Sequence, residues 1–119
     1  MADGVYAARI EFVSTLSDRL SGIRCAVEQL RQRPHDTGLF FETRNSLGGL
    51  TETARSFGLE ELTEICMRLE QALVSWRGRG ASPAAWAAVA SADAALAGFE
   101  DRVAPAAAPA AWRVVGAGL

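Results

Sequence analysis

From Phe40 to Leu73 the apolar residues recur at alternating steps of three and four. That spacing keeps side chains on one face of a helix of 3.6 residues per turn, whereas a strand would alternate every second residue. Phe40, Thr43, Leu47, Leu50, Ala54 and Phe57 form one stripe. Gly58 interrupts it, and Leu59, Leu62, Ile65, Cys66, Leu69 and Leu73 form a second. The pattern predicts two amphipathic helices joined by a tight glycine turn. Neither stripe is covered by the other alone, so the rest of the chain must supply the remaining walls of a core.

It does so with two more helical segments. Val13, Leu16, Leu20, Ile23, Val27 and Leu30 repeat the three–four step and predict a first helix from Tyr6 to Arg31. The run RQRPHDTG stops it, because Pro34 cannot continue the helix, and Asp36 or Thr37 can cap the next one through a side-chain oxygen. A second helix then extends to Phe57, and a third runs from Leu59 to Trp76 with Glu60 and Glu61 in its dipole-favoured first turn. After the loop RGRGAS, Ser82 and Pro83 form a start signal for a fourth helix carrying Trp86, Val89, Leu96, Phe99 and Val103, and Pro105 is expected to end it. Trp76 and Trp86 flank that loop and are expected to pack together. Residues 105–119 read as an Ala/Pro-rich tail in which Trp112, Val114 and Val115 could dock on the bundle or on a partner. Four amphipathic helices with short connections and no strand pattern imply an all-α, antiparallel four-helix bundle over residues 1–104. Periodicity leaves open which helices are neighbours.

Composition narrows the functions. The chain has 119 residues and a net charge of -2, which exerts no global pull toward nucleic acid or acidic membranes. All of its basic side chains are arginines, and heavy use of Ala, Arg and Gly suits a GC-rich bacterial genome. Cys25 and Cys66 are too few and too far apart for a disulfide framework or a metal site; Cys66 falls on a core stripe and Cys25 at the edge of one. No signal core precedes the first helix and no run reaches membrane-spanning length, so a cytoplasmic protein is expected. The acidic residues form no inward-facing cluster, and GAG near the end follows no βαβ pattern, so neither a metal nor a nucleotide cofactor is expected. RGRG in a single copy reads as a loop rather than a nucleic-acid segment.

The stretch LGGLTETARSFGLEELTEICMRLEQAL resembles the central helical hairpin of histidine phosphotransfer (HPt) domains, with FGLEELTEICMRLE its most specific part. The resemblance implies a four-helix bundle in which an exposed histidine accepts a phosphoryl group from, or passes it to, an aspartate of a receiver domain. In that family a motif close to H-x-L-K-G supplies the nucleophile, a cation for the phosphoryl oxygens and a small residue that lets the receiver approach. Aligned without gaps through SFGLEEL, the histidine position falls on Gly48, the lysine position on Thr51 and the small-residue position on Glu52, while Leu50 fits the motif's apolar place. A rival register lays the motif over NSLGG and puts Asn45 at the histidine, with Gly48 at the lysine. Neither restores a nucleophile. The single histidine, His35, lies in the loop before the second helix, and Ser46 and Thr51 miss the phosphoacceptor position in both registers.

Two adjacent glycines inside a helix cost on the order of 1 kcal/mol each relative to alanine. They read either as drift in a protein that kept a fold and lost its chemistry, or as a smooth patch that lets another surface approach. The candidate contact surface comprises Arg44, Asn45, Gly48, Gly49, Thr51, Glu52 and Arg55. The resemblance implies a catalytically inactive member that binds a receiver domain or a histidine kinase and modulates two-component signalling. The alternatives are a helical scaffold that dimerises, and phosphotransfer through a non-standard residue.

Overall fold

A computed structural model describes the backbone of residues 2–107 and the side chains of residues 14–102. Four helices follow one another: α1 (Ala2–Gln32), α2 (Thr37–Ser56), α3 (Glu60–Gly78) and α4 (Trp86–Ala107). Each packs against its sequence neighbours, and α1 also packs against α4, while among the described residues the backbones of the diagonal pairs α1–α3 and α2–α4 stay more than 8 Å apart, Cα to Cα. This is an up-down-up-down bundle, and it fixes the neighbour relations that periodicity leaves open.

The helix ends follow from local chemistry. Asp36 caps α2, its Oδ1 accepting from the Leu39 N–H at 3.0 Å. At the other end of α2 Gly58 takes φ +72°, the Gly58 N–H donates to the Arg55 carbonyl and the Leu59 N–H to the Ala54 carbonyl. These are the two bonds of a Schellman motif, which needs the left-handed backbone that glycine adopts without strain. The same pair of bonds closes α3: Gly80 donates to Arg77 and Ala81 to Trp76. There the left-handed conformation extends to Ala81 at φ 57°, a non-glycine residue held in place by that bond and by packing on the core.

Every apolar position of the stripes whose side chain is described lies in or against the core. Leu16, Leu20, Ile23, Val27 and Leu30 of α1 meet Phe40, Leu47, Leu50 and Ala54 of α2, with Leu62, Ile65, Cys66, Leu69 and Leu73 of α3 on the far wall. Burying each of the large side chains contributes about 1.5–3 kcal/mol before chain entropy is counted. Phe57 and Leu59, beside the turn, are only partly buried. Trp76 is fully buried and meets Trp86 edge-on, with ring centroids 4.9 Å apart, as their positions around the loop predict.

Three boundaries differ from expectation, the first being that of α1, which begins at Ala2 rather than at Tyr6. Ser82 does cap, its Oγ accepting from the Ala85 N–H at 3.2 Å, but it caps a separate turn, and α4 begins only at Trp86. Pro105 does not end α4, which continues to Ala107. Proline's φ is already helical, so near a helix end it forfeits one N–H bond without forcing the chain out. Val13, Val103, Trp112, Val114 and Val115 lie outside the residues whose side chains are described.

Candidate functional site

The hairpin of α2 and α3 positions the residues singled out in the sequence. Three cross-helix contacts set its antiparallel register. Arg77 Nη2 donates to Thr37 Oγ1 at 2.8 Å, Thr51 Oγ1 to Glu70 Oε2 at 3.3 Å, and Arg55 Nη2 contacts Met67 Sδ at 3.6 Å. The outer surface of α2 therefore lies beside the edge of α3 that carries Met67, Glu70 and Val74.

On that surface Asn45, Gly49, Glu52 and Arg55 are exposed, and Arg44 and Gly48 are half-buried. Gly49 is fully open, with no atom within 4 Å of a Cβ built there. Gly48 sits closer to the seam, where a Cβ would lie 3.5 Å from Glu70 Oε1. Thr51 does not belong to the exposed surface. It is only 5% exposed, and its hydroxyl donates back to the Leu47 carbonyl at 2.9 Å as well as toward Glu70. The cause is rotational: on a helix the residue after Leu50 turns toward the neighbouring helix, and α3 stands there. Ser46 turns the other way, into the groove between α1 and α2 beside Ile23 and Leu39. His35 is exposed in the α1–α2 turn, eleven residues and so about 16 Å along the α2 axis from Gly48 when counted from Thr37.

The structure adds residues that the core stripes pass over. Phe41, Met67 and Val74 are 53%, 42% and 45% exposed, and they are the large apolar side chains that remain exposed among the described residues. All three lie on the α2–α3 hairpin. A signal for them is present in the sequence: each is a large apolar residue off the core stripe, and Met67 and Val74 stand seven apart on one face of α3. Between Arg44 and this edge of α3 is a shallow depression of about 440 Å³, lined by Arg44, Met67, Glu70, Gln71, Val74 and Ser75.

The electrostatics of the bundle are lopsided. Ion pairs among the described residues use Arg24, Arg31, Arg33 and Arg102, which belong to α1, its following turn and α4. On that side Glu100 is nearly buried, accepting from Ser21 Oγ at 2.6 Å and from Arg24 Nη1 at 3.2 Å. Burial pushes the nearby Asp93 carboxyl above its ordinary range, against the pull of Arg24. Among the described residues no carboxylate lies within ion-pair distance of Arg44, Arg55, Arg68 or Arg77, the arginines of α2 and α3. Arg44 and Arg77 instead direct their guanidinium groups at the ring of Phe40, at 5.9 and 4.6 Å from its centroid.

Nucleophilic chemistry has little to work with here. Burial pushes the Cys66 thiol up to about 11, with the Thr51 hydrogen bond pulling the other way, so at neutral pH it is an un-ionised core group. Cys25 is exposed, but on α1, beside Gln29. No group of three or more metal-ligating side chains occurs among the described residues, and no described helix is long and apolar enough to cross a membrane. The outer side of the α2–α3 hairpin thus combines two glycines, three exposed apolar side chains and arginines with no described acidic partner. No family model matches the chain, and no curated protein or solved structure matches it.

Proposed function

We propose that the chain is an HPt-like bundle without a phosphoacceptor, which binds a receiver domain or a histidine kinase through the outer face of α2 and α3. By occupying a docking surface it modulates two-component signalling without transferring a phosphoryl group. The observation that carries this reading is the coincidence of two independent features on one face. The two helices that carry the segment resembling the phosphotransfer hairpin, with Gly48 or Asn45 where a histidine would stand, are also where Phe41, Met67 and Val74 remain exposed, Met67 within that segment and the other two beyond its ends. A contact surface needs an apolar centre with a polar rim more than it needs any one functional group, so loss of an imidazole leaves docking affordable.

The test is direct binding to a panel of purified receiver domains and kinase dimerisation domains, with and without a phosphoryl mimic. Saturable micromolar binding to one or two of them, lost in Gly48→Arg, is the expected result. A side chain at Gly48 meets Glu70 only at ordinary contact distance, so the variant should fold and its loss of binding would report on docking. Binding unaltered by Gly48→Arg removes the face from the reading. No binding to any member of the panel removes the reading itself and leaves the scaffold alternative, in which mass rises with concentration.

A further inference from the structure

We infer that the partner covering the α2–α3 face is a protein surface bearing paired carboxylates beside apolar side chains, and that Arg44 and Arg77 receive those carboxylates. This rests on the reading of the face as a docking surface and names the chemistry that the surface selects. Three observations support it.

The first is the asymmetry of ion pairing. Arg24, Arg31 and Arg102 of α1 and α4 reach carboxylates of their own chain, whereas among the described residues Arg44 and Arg77 have none within ion-pair distance. The acidic residue that lines the same depression, Glu70, is turned to the Thr51 hydroxyl. Two guanidiniums against one ring without counter-charges leave positive charge that an anionic group from outside can pair.

The second is that both guanidiniums are already held. Arg77 packs over Phe40 and donates from Nη2 to Thr37, and Arg44 lies against the same ring. Arg44 Nε and Arg77 Nη1 are enclosed without a hydrogen-bond partner, and a stacked guanidinium has given up most of its rotamer freedom, so a carboxylate that meets the exposed part of either group orders little that is not already ordered.

The third is the surroundings. Phe41 and Val74 are exposed on the same hairpin, Glu70 lines the depression beside Arg44, and Glu52 stands farther along the face. A nucleic acid would have to lay a continuous row of phosphates over apolar side chains and past those carboxylates. A protein surface with carboxylates at one edge and apolar side chains next to them meets the face point by point, because charge pairing at the rim sets orientation while apolar contact supplies affinity.

The experiment is a selection of displayed peptides on the full chain that does not depend on any receiver domain. Enriched peptides are measured against Arg44→Gln, the double variant Arg44→Gln/Arg77→Gln, and Val74→Ser. Val74→Ser changes an exposed position, and Arg44→Gln removes only the more distant of the two guanidiniums from the Phe40 ring, so the pair guards against a folding defect in the double variant, which loses both. The expected result is enrichment of Asp or Glu pairs beside apolar residues. Binding should weaken by about tenfold or more in Arg44→Gln, and also weaken in Val74→Ser. Peptides sensitive to Val74→Ser but indifferent to both arginine variants would keep the face as a docking surface and overturn the carboxylate assignment. Peptides without acidic enrichment, or no enrichment at all, would overturn it as well. A short single-stranded oligonucleotide that binds the chain and is released by Arg44→Gln would reassign the arginines to a polyanion. Acidic peptides bound as expected, together with a silent receiver panel, would leave this inference standing and remove the receiver reading.

Discussion

Replacing Gly48 and Gly49 by alanine tests the two readings of that pair together. Both glycines lie inside α2, and neither has the positive φ that marks Gly58 and Gly80, so nothing in the backbone requires glycine there. Space does not require it either. A Cβ at Gly49 meets no atom within 4 Å, and one at Gly48 meets Glu70 Oε1 at 3.5 Å, an ordinary contact. Each alanine should therefore recover the helix penalty of glycine, about 0.8–1 kcal/mol, chiefly by restricting the unfolded chain. Adjacent helix positions do not face each other, so the two gains should add to roughly 1.5–2 kcal/mol. For a domain of this size that raises Tm by roughly 5–8 °C. Urea denaturation followed by far-UV circular dichroism measures it, with the slope expected to stay constant while the midpoint rises. A double variant no more stable than the parent would refute the reasoning, because it would mean that the backbone or the neighbours need glycine in a way the packing does not show. The same protein then decides function. If receiver binding survives in the stabilised variant, the glycines are relics of drift; if binding falls while stability rises, the smooth patch is what the partner requires.

Two further perturbations have worked-out signs. The Cys66 thiol, raised by burial from its ordinary 9.0 to about 11, favours the folded state fully below pH 9, and that contribution is lost as pH rises through 11. A difference of this size corresponds to roughly 2–3 kcal/mol. Stability should sag over that window and sag less in Cys66→Ala, while iodoacetamide at neutral pH should label Cys25 in the native protein and Cys66 only after unfolding; equal native labelling would contradict the burial argument. Asp36→Ala removes the side-chain acceptor of the Leu39 N–H and should cost about 1 kcal/mol in urea titrations, whereas Asp36→Asn should be nearly neutral. Equal losses in both would point to the weak Arg33 pairing rather than the cap.

The four helices were legible because their signals are local. The three–four stripes, Gly58, the Asp36 cap and the Trp76–Trp86 pair each depend on residues close in sequence, or on a face that must be buried somewhere. The site was legible only in part. The sequence marks Gly48 and Gly49 as anomalous and places Arg44, Asn45, Glu52 and Arg55 off the core stripe, and the structure leaves the last three exposed and Arg44 half-buried. It reads Thr51 as part of the same surface, but a helix face has two edges, and only the position of α3 makes one of them interior.

By itself, then, the sequence determined that this chain makes amphipathic helices, where they turn, which stripes enter the core and that no histidine stands on the second helix. Tertiary structure decided the rest. The cyclic order of the bundle sets Glu70 beside Gly48 and Met67 and Val74 beside Arg44, turns Ser46 toward α1, and leaves Arg44 and Arg77 against one phenylalanine without a described carboxylate partner. Those relations join residues about 20 to 40 positions apart through the packing of whole helices. Periodicity records which face of a helix is apolar, but it carries no information about which neighbour that face will meet.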